Sequence, residues 1–285
     1  MVDATREFQR QVIAMIRRAL EEDVGKGDLT TDAIVDPGAR YQGEFRVKAP
    51  GVIAGLQVAK WTFQQLDSSI EFHPLVPEGT DVSSNQVVAR VWGKGRALLT
   101  GERVALNFVQ RMSGIATLTR RFVDAIAGSG AIILDTRKTA PGLRLLDKWA
   151  VRLGGGQNHR MGLFDRVLIK DNHIQAAGGI PQAVQRIRRV YGERFPIEVE
   201  VTNLAELKTA LDVGVEQILL DNMDVALLKR AVKMTAGRAK LEASGNVSLH
   251  NVAEVARTGV DYISVGQLTH SVQALDVSFL LRPIG

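Results

Sequence analysis

Six short apolar segments recur between residues 131 and 266, and each is closed or followed by a charged residue, a polar residue or a glycine. We call this closing residue the tip of the segment; the six tips are Lys138, Lys170, Glu200, Asp221, Ser244 and Gly266. Successive tips are separated by roughly 20–30 residues, which is the length of one strand plus one returning helix. Repeated units of this length favour parallel strands, whose carboxyl ends all lie on one face. The tips are therefore expected to meet on one rim, where α/β proteins of this type bind their ligands.

The repeat predicts an α/β fold and leaves two architectures open. It contains six strand–helix units, whereas a closed barrel has eight. One architecture is an incomplete, open α/β barrel of about six parallel units. The other is a doubly wound sheet with the tips at its switch point. Neither GxGxxG nor GxxxxGK[ST] occurs, so nothing in the sequence supports a Rossmann or P-loop nucleotide site.

The segment 1–112 lacks this period and mixes strand-like with helix-like stretches, which predicts a separate α+β sandwich domain. The barrel-like catalytic domain is expected over residues 113–271. Residues 272–285 carry no strand–helix unit and are expected to return to the first domain. The long helical pattern of residues 101–127 contains Ser113-Gly114, a predicted break or kink at which we place the domain join.

The tips and the loops between them sort by chemistry along the chain. The first group is cationic, the second is acidic and the third is small or polar: Arg137, Lys138, His159, Arg160, Lys170 and His173; then Glu200 and Asp221; then Ser244-Gly245-Asn246 and Gly266. A rim with these three parts suits a polyanion, a metal ion or ribose, and a phosphate, respectively.

Lys170, Glu200 and the two histidines within this pattern are each informative by themselves. Lys170 directly follows an apolar strand and is either a Schiff-base nucleophile or a group that holds an anion. Glu200 has valines on both sides in the sequence, so its carboxylate faces the other side of the strand, where such a group is usually functional or ion-paired. His159 and His173 could bind a metal ion, but no third histidine or carboxylate lies at ligand spacing, so a histidine metal site is not expected.

Transfer of a phosphorylated sugar would use all of these groups. A sugar pyrophosphate is a polyanion that needs Mg²⁺, together with carboxylates for the metal or the ribose hydroxyls. Its terminal phosphate fits backbone N–H groups at glycine-rich turns such as residues 244–246 and 266. The remaining arginines and histidine would hold an anionic acceptor, because arginine binds carboxylates through two parallel hydrogen bonds.

Composition narrows the class of protein further. The absence of cysteine excludes disulfides, thiolate catalysis and cysteine zinc sites. A net charge of +5 with 5% aromatic residues provides no basic and aromatic stripe for single-stranded nucleic acid. No segment resembles a signal-peptide core or approaches the ~18 apolar residues of a membrane span. We expect a cytoplasmic protein without nucleic-acid or membrane partners.

Several motifs are shared with a known family. They are Glu102-Arg103-Val104-Ala105-Leu106-Asn107, Ser113-Gly114-Ile115-Ala116-Thr117, Asp135-Thr136-Arg137-Lys138-Thr139-Ala140-Pro141-Gly142, Gly155-Gly156-x-x-His159-Arg160 and Lys170-Asp171-Asn172-His173, with the segment 23–31. Over essentially its whole length the chain resembles the quinolinate phosphoribosyltransferases. The resemblance implies an N-terminal sandwich plus an incomplete α/β barrel, in a homodimer. It also implies a Mg²⁺-dependent reaction of quinolinate with phosphoribosyl pyrophosphate that yields nicotinate mononucleotide, pyrophosphate and CO₂ in de novo NAD synthesis.

The resemblance also implies roles for individual residues. Quinolinate would be held by Arg137, His159, Arg160 and Lys170, and by Arg103 reaching into the partner subunit's site. The pyrophosphate side would be met by Lys138, Asn172 and His173, and the phosphate by Ser244, Gly245, Asn246, Gly266 and His270. Glu200 and Asp221 would take the ribose hydroxyls or lie near the Mg²⁺, which the substrate itself mainly holds. Lys170, Glu200 and Asp221 are the expected catalytic residues.

Three alternatives stay open at this point. One is a Schiff-base aldolase that uses Lys170. Another is a phosphoribosyltransferase for a monocarboxylate such as nicotinate, against which the surplus of arginine argues. The third is a non-catalytic relative linked to molybdate uptake, against which the intact set of charged residues argues.

Overall fold

The computed structural model describes residues 6–284. In the first part of the chain the elements are α1 (Arg6–Val24), α2 (Leu29–Ile34), β1 (Arg40–Val47), β2 (Gly51–Val52), α3 (Leu56–Leu66), β3 (Glu71–Pro74), β4 (Asp81–Val82), β5 (Val87–Lys94) and α4 (Gly95–Ala125). There follow β6 (Ile132–Leu134), α5 (Arg144–Leu153), β7 (Val167–Ile169), α6 (Asp171–Ala177), α7 (Ile180–Tyr191), β8 (Ile197–Val201), α8 (Leu204–Asp212) and β9 (Gln217–Asp221). The last elements are α9 (Val225–Thr235), β10 (Lys240–Ser244), α10 (Val252–Ala256), β11 (Tyr262–Ser264), α11 (Gln267–His270) and β12 (Val277–Pro283).

The chain divides into two compact units. Unit 1 comprises the described residues up to Arg120, together with Ala140–Gly155 and the residues from Ser271 onward. Unit 2 comprises Arg121–Thr139 and Gly156–His270. None of the helices formed by residues 6–284 combines the length and the apolar character that crossing a bilayer requires.

Unit 1 is built on an antiparallel sheet with the strand order β12-β1-β5-β3. Alternation along β1 directs Phe45 and Val47 into a core in which both are fully buried. The ring of Phe45 contacts those of Phe63 from α3 and Phe279 from β12, with centroids 6.2 Å and 5.1 Å away. The core therefore joins residues from both ends of the chain.

Helix α4 is continuous through the predicted break at Ser113-Gly114, so no break occurs there. The two small residues serve packing within unit 1. Ser113 Oγ donates to the carbonyl of Ala54 at 3.0 Å and accepts from its N–H at 2.9 Å. A Cβ atom at Gly114 would collide with the carbonyl oxygen of Gln273. The predicted interruption is therefore wrong, and the two small residues instead mark a close approach of other segments of unit 1 to the helix.

Unit 2 is an open α/β barrel, as predicted. Its six strands are parallel and pair in the order β6-β11-β10-β9-β8-β7. From β7 to β11 each strand pairs with the next strand along the chain. The first strand, β6, pairs with the last, β11, so the sheet curves round toward a barrel. A doubly wound sheet would instead reverse its order at a switch point, so that alternative is excluded. The barrel is interrupted between β6 and β7, which are the two edge strands.

Candidate active site

The carboxyl ends of the six parallel strands of unit 2 form one rim, because parallel strands all point the same way. Nearly all candidate residues lie in this unit, on the strand ends or on the segments that follow them: Arg137, Lys138, His159, Arg160, Lys170, Asn172, His173, Glu200, Asp221, Ser244, Gly245, Asn246, Gly266 and His270. Arg103 is the exception, since it lies on α4 within unit 1, where its side chain is exposed.

Lys170 and Glu200 form an ion pair across two neighbouring strand ends. Ile169 of β7 pairs with Val199 of β8, which brings the residues that follow them side by side. Lys170 Nζ lies 2.9 Å from Glu200 Oε2. A lysine that donates to a carboxylate in this way is a charged group suited to holding an anion, which favours that interpretation of Lys170 over a Schiff base.

His173 lies one helical turn beyond Lys170 and helps to shape the same strand end. The Lys170 backbone N–H donates to His173 Nδ1 at 3.0 Å, which closes the beginning of α6. Asn172 lies in the same first turn of this helix. The motif Lys170-Asp171-Asn172-His173 is thus one compact structural unit at the rim.

The loops after β9 and β10 are joined by side-chain amides. Asn222 Nδ2 donates to Asp221 Oδ2 at 2.8 Å, and Asn246 Nδ2 donates to Asn222 Oδ1 at 3.1 Å. The backbone N–H of Asn222 donates to the carbonyl of Ser244 at 2.9 Å. Asn222, Gly245 and Asn246 all have positive φ angles, of 53°, 93° and 52°. Sequence analysis did not single out Asn222; its position directly after Asp221 is the signal that could have identified it.

Lys138, Gly266 and His270 meet on the other side of the rim. A Cβ atom at Gly266 would lie 3.1 Å both from His270 Cδ2 and from Lys138 Cδ. Thr269 Oγ1 donates to the carbonyl of Lys138 at 2.9 Å, which ties the segment after β6 to the segment after β11. Two cationic or titratable side chains thus flank a glycine, an arrangement that suits a phosphate.

Arg137 and Arg160 place two positive charges close together in a partly enclosed part of the rim. Arg160 is only 9% exposed. Burial and the charge of Arg137 lower the pKa of the Arg160 guanidinium, and the carboxylates of Glu198 and Asp165 offset part of this effect. Two arginines that repel each other are stabilised by a ligand with two negative groups.

A buried polar cluster lies inside the barrel, and sequence analysis did not foresee it. His159 Nε2 lies 3.1 Å from Glu198 Oε2 and 3.6 Å from Glu242 Oε2. Gln217 Nε2 donates to Glu198 Oε1 at 2.9 Å and to Glu242 Oε2 at 2.6 Å, and Ser264 Oγ donates to Glu242 Oε1. The available signal was the occurrence of carboxylates between apolar residues within β8 and β10.

The pKa values of the two carboxyl groups in this cluster are displaced in opposite directions. Burial, and then the charge of Glu198, raise the pKa of Glu242 well above its usual value. Burial alone would raise the pKa of Glu198, but its interactions with His159 and a hydrogen bond from Glu242 bring it below the usual value. The surroundings therefore favour the neutral form of Glu242 and the charged form of Glu198.

His159, Glu198 and Glu242 also have the composition of a metal site, since their ligand atoms lie within 4.8 Å of one another. The two carboxylates missing from the sequence-based interpretation of His159 are thus supplied by β8 and β10. Three of the four carboxylate oxygens already accept hydrogen bonds from Gln217 and Ser264. The fourth, Glu198 Oε2, is buried 3.1 Å from His159 Nε2 and accepts no hydrogen bond from the described residues.

Comparison with known proteins yields matches over nearly the whole chain. The family model described as "Quinolinate phosphoribosyl transferase, N-terminal domain" matches residues 28–113, and the corresponding C-terminal domain model matches residues 115–280. A relative from Oryza sativa subsp. japonica, named nicotinate-nucleotide pyrophosphorylase [carboxylating], chloroplastic, is 46% identical; the match covers 93% of this chain and 76% of that protein.

Two further proteins extend this comparison. A Synechocystis protein named probable nicotinate-nucleotide pyrophosphorylase [carboxylating] is 49% identical over 87% of this chain and 85% of its own length. The crystal structure of NadC from Streptococcus pyogenes has a TM-score of 0.95 and 38% identity, with 100% of both chains covered. The sequence and the fold therefore match the same group of proteins.

Proposed function

This chain belongs to the quinolinate phosphoribosyltransferase family, and from that premise we propose how the rim of unit 2 carries out the reaction. The reaction is the transfer of the phosphoribosyl group of phosphoribosyl pyrophosphate to quinolinate with decarboxylation, which is a step of de novo NAD synthesis. The products are nicotinate mononucleotide, pyrophosphate and CO₂.

The observation that carries the proposal is the pair Arg137 and Arg160. Quinolinate has two carboxylates on adjacent ring atoms, so it can neutralise both guanidinium groups at once. Each charge-assisted hydrogen bond contributes about 1.5–3 kcal/mol, and several together offset the repulsion between this acceptor and a polyanionic donor. Lys170, whose Nζ is held 2.9 Å from Glu200, supplies a third positive charge at the boundary between the two substrates.

The donor substrate is assigned to the remaining part of the rim. Glu200 and Asp221 accept hydrogen bonds from the ribose hydroxyls, and Lys138, Asn172 and His173 lie on the pyrophosphate side. The terminal phosphate is assigned to the loop Ser244-Gly245-Asn246 with Gly266 and His270. Support comes from the hydrogen bonds that link Asp221, Asn222 and Asn246.

In the transfer step, the quinolinate ring nitrogen attacks the anomeric carbon while the bond to pyrophosphate breaks with its electron pair. The ring nitrogen becomes positively charged. The bond to the 2-carboxylate then breaks, CO₂ leaves, and the electron pair remains on the ring carbon beside the cationic nitrogen until a proton is added. Electrostatic stabilisation by Glu200, Asp221 and the cationic residues replaces covalent catalysis, so no side chain acts as a nucleophile.

We propose Mg²⁺ as the metal, held mainly by the oxygens of the substrate's pyrophosphate. The oxygen donors of Asp221 and Glu200 fit a hard cation. However, Lys170 already occupies Glu200 Oε2 at 2.9 Å, which makes this oxygen a poor direct ligand. When bound, Mg²⁺ would neutralise part of the charge that develops on the leaving pyrophosphate.

A homodimer in which Arg103 enters the partner's quinolinate site is a further part of the proposal. The exposed Arg103 side chain is free to approach another molecule. Leu163 and Phe164, on the segment between Arg160 and β7, are 73% and 76% exposed in the single chain. Large apolar side chains at such a position commonly mark an association surface.

We also place the reaction in the cytoplasm. The chain contains no cysteine, so no disulfide ties its stability to an oxidising compartment. Fractionation of cells that produce the protein tests this assignment, and recovery of the protein with membranes or in an oxidising compartment would contradict it.

The test of the function is a mass-spectrometric product assay with purified protein, phosphoribosyl pyrophosphate, Mg²⁺ and either quinolinate or nicotinate. Nicotinate mononucleotide should form from quinolinate alone, with release of CO₂. Product from nicotinate would move the assignment to the monocarboxylate enzyme. Binding without product from either acceptor would favour the non-catalytic relative, and a borohydride-trapped adduct on Lys170 would favour the aldolase. Omission of Mg²⁺ tests the metal in the same assay.

A further inference from the structure

Both ring nitrogens of His159 lie close to polar atoms of the protein itself. Nδ1 accepts a hydrogen bond from the Arg160 backbone N–H at 2.7 Å, so Nδ1 carries no proton. The ring proton therefore lies on Nε2, which is 3.1 Å from Glu198 Oε2. A substrate carboxylate needs a donor, and the donor of His159 is directed into the barrel and away from any bound anion.

The surroundings of His159 are firmly fixed. Glu198 is 1% exposed and its Oε1 accepts from Gln217 at 2.9 Å. Arg166 Nη1 approaches Glu198 Oε2 to 3.8 Å. The backbone N–H of His159 donates to Asp135 Oδ1 at 2.9 Å. The ring of His159 therefore lies against Glu198 of β8, and its backbone is bound to Asp135, directly after β6. Arg160 is the next residue in the chain.

We propose that Glu198 is a positioning residue for the quinolinate site. By holding the His159 ring below the rim, Glu198 fixes the backbone from which Arg160 reaches the substrate. His159 is then a support for Arg160 and makes no ring-nitrogen contact with quinolinate, in contrast to the role that the family resemblance implies. The inference rests on the proposed function, because it takes quinolinate as the ligand of Arg137 and Arg160.

Nitrogen NMR of the full chain with ¹⁵N-labelled histidine tests the His159 contact directly. The signals of His159 are assigned by their loss in the His159→Gln variant. They should report an unprotonated Nδ1 and a protonated Nε2, both before and after calorimetric saturation with quinolinate. A change in protonation of either nitrogen on saturation would overturn the inference. Failure of quinolinate to bind at all would instead count against the proposed function, so the two failures are distinguishable.

Kinetics of Glu198→Gln test the positioning role. A glutamine amide has one oxygen in place of two, so it can accept from His159 or from Gln217 but not from both. The His159 ring is then held less firmly and Arg160 is misplaced, so KM for quinolinate should rise about tenfold while KM for phosphoribosyl pyrophosphate stays unchanged. Glu216→Gln is the matched control: Glu216 Oε2 accepts from the Ile197 backbone N–H at 2.8 Å, at the amino end of β8, and takes no part in the contacts of Glu198 with His159 and Gln217. It should leave both KM values unchanged. A folded Glu198→Gln variant with wild-type KM for quinolinate would overturn the proposal.

Two substitutions of His159 separate support from direct binding. A glutamine amide reaches the position of Nε2 and can still donate to Glu198, whereas an asparagine amide reaches only the position of Nδ1. The support role predicts a much smaller increase in KM for quinolinate in His159→Gln than in His159→Asn. A direct role of a histidine charge predicts equal losses, because neither amide is charged, and equal losses would contradict the inference.

Discussion

At the scale of single residues, the rim depends on close approaches that only certain side chains allow. Gly245 has a φ angle of 93°, and a Cβ atom there would collide with Asn222 Oδ1. Asn222 in turn links Asp221 to Asn246. The missing side chain of Gly245 therefore lets the loops after β9 and β10 share one chain of hydrogen bonds.

Gly245→Ala should raise KM for phosphoribosyl pyrophosphate more than about tenfold, because Asn222 must move and release its bond to Asp221. KM for quinolinate should change much less. Gly214→Ala is the control for backbone strain alone, since Gly214 has a φ angle of 67° and no atom within 4 Å of its Cβ position. Equal effects of the two substitutions on KM would show that the collision with Asn222 is irrelevant.

Glu242→Gln should change how stability depends on pH. The pKa of Glu242 is raised in the folded protein, so folding takes up a proton between the ordinary glutamate pKa, ~4.3, and the raised value. This carboxyl therefore makes the wild type less stable as pH rises through that interval. The neutral amide removes the effect, so the melting temperature of the variant relative to the wild type should increase from pH 5 to pH 8. Parallel melting curves at all pH values would contradict the assignment of the proton to Glu242.

The residues at strand ends could be inferred from the sequence because a charge after an apolar run is a local signal. Lys170 and Glu200 are two such residues, and in the structure Lys170 Nζ lies 2.9 Å from Glu200 Oε2. Glu198 and Glu242 also interrupt apolar runs, but their role depends on His159, which is distant from both of them in the chain. Only the folded barrel shows that they face His159 and each other.

At the scale of secondary-structure elements, β12 has an importance that its sequence does not reveal. It pairs with β1 in register from Tyr41 with Pro283 to Val47 with Val277. Phe279 of this strand stacks against Phe63 at 5.8 Å in the core of unit 1. The sequence predicts that residues 272–285 return to the first domain, but a short apolar run does not indicate with which strand it pairs or on which edge of the sheet it lies.

Phe279→Ala should lower the free energy of unfolding by ~3–5 kcal/mol, since it removes a buried ring and leaves a cavity. The neighbouring Leu280 points away from that core and is exposed. Leu280→Ala should therefore cost less than about 1 kcal/mol. Chemical denaturation of both variants tests the difference, and similar losses would mean that β12 does not contribute its Phe279 face to the core.

The six parallel strands could be inferred in number and approximate position, because each combines an apolar run with a polar end. Strand order could not be inferred in the same way. The pairing of β6 with β11 makes the sheet a barrel rather than a doubly wound sheet, and this pairing joins residues 132–134 to residues 262–264. Local patterns cannot distinguish these two orders, because both bury the same apolar residues.

At the scale of the whole molecule, the proposed dimer makes each site depend on two chains. Arg103 and Lys170 belong to different units of the same chain. If Arg103 serves the site of the partner, a mixed dimer can carry both defects in one site and leave the other site intact. Activity then becomes a test of assembly.

Mixing Arg103→Ala chains with Lys170→Ala chains should restore part of the activity that each variant lacks alone. Random exchange of subunits would leave about one intact site in each mixed dimer, which follows from the closed two-fold symmetry of such assemblies. Mass spectrometry under native conditions verifies the mixed dimers. Verified mixed dimers without recovered activity would rule out the shared site.

The position of β12 also sets the order of events while the protein is being made. Its partner β1 leaves the ribosome long before it, as the pairing of Tyr41 with Pro283 implies. Until residues 277–283 emerge, β1 has only β5 beside it, and the core lacks the ring of Phe279. The whole barrel can form during this interval, because domains fold as units during synthesis. Unit 1, whose first strands are synthesised before the barrel, is therefore completed after it. Until then the edge of β1 that later pairs with β12 is open, and the nascent chain must protect it from pairing with other strands.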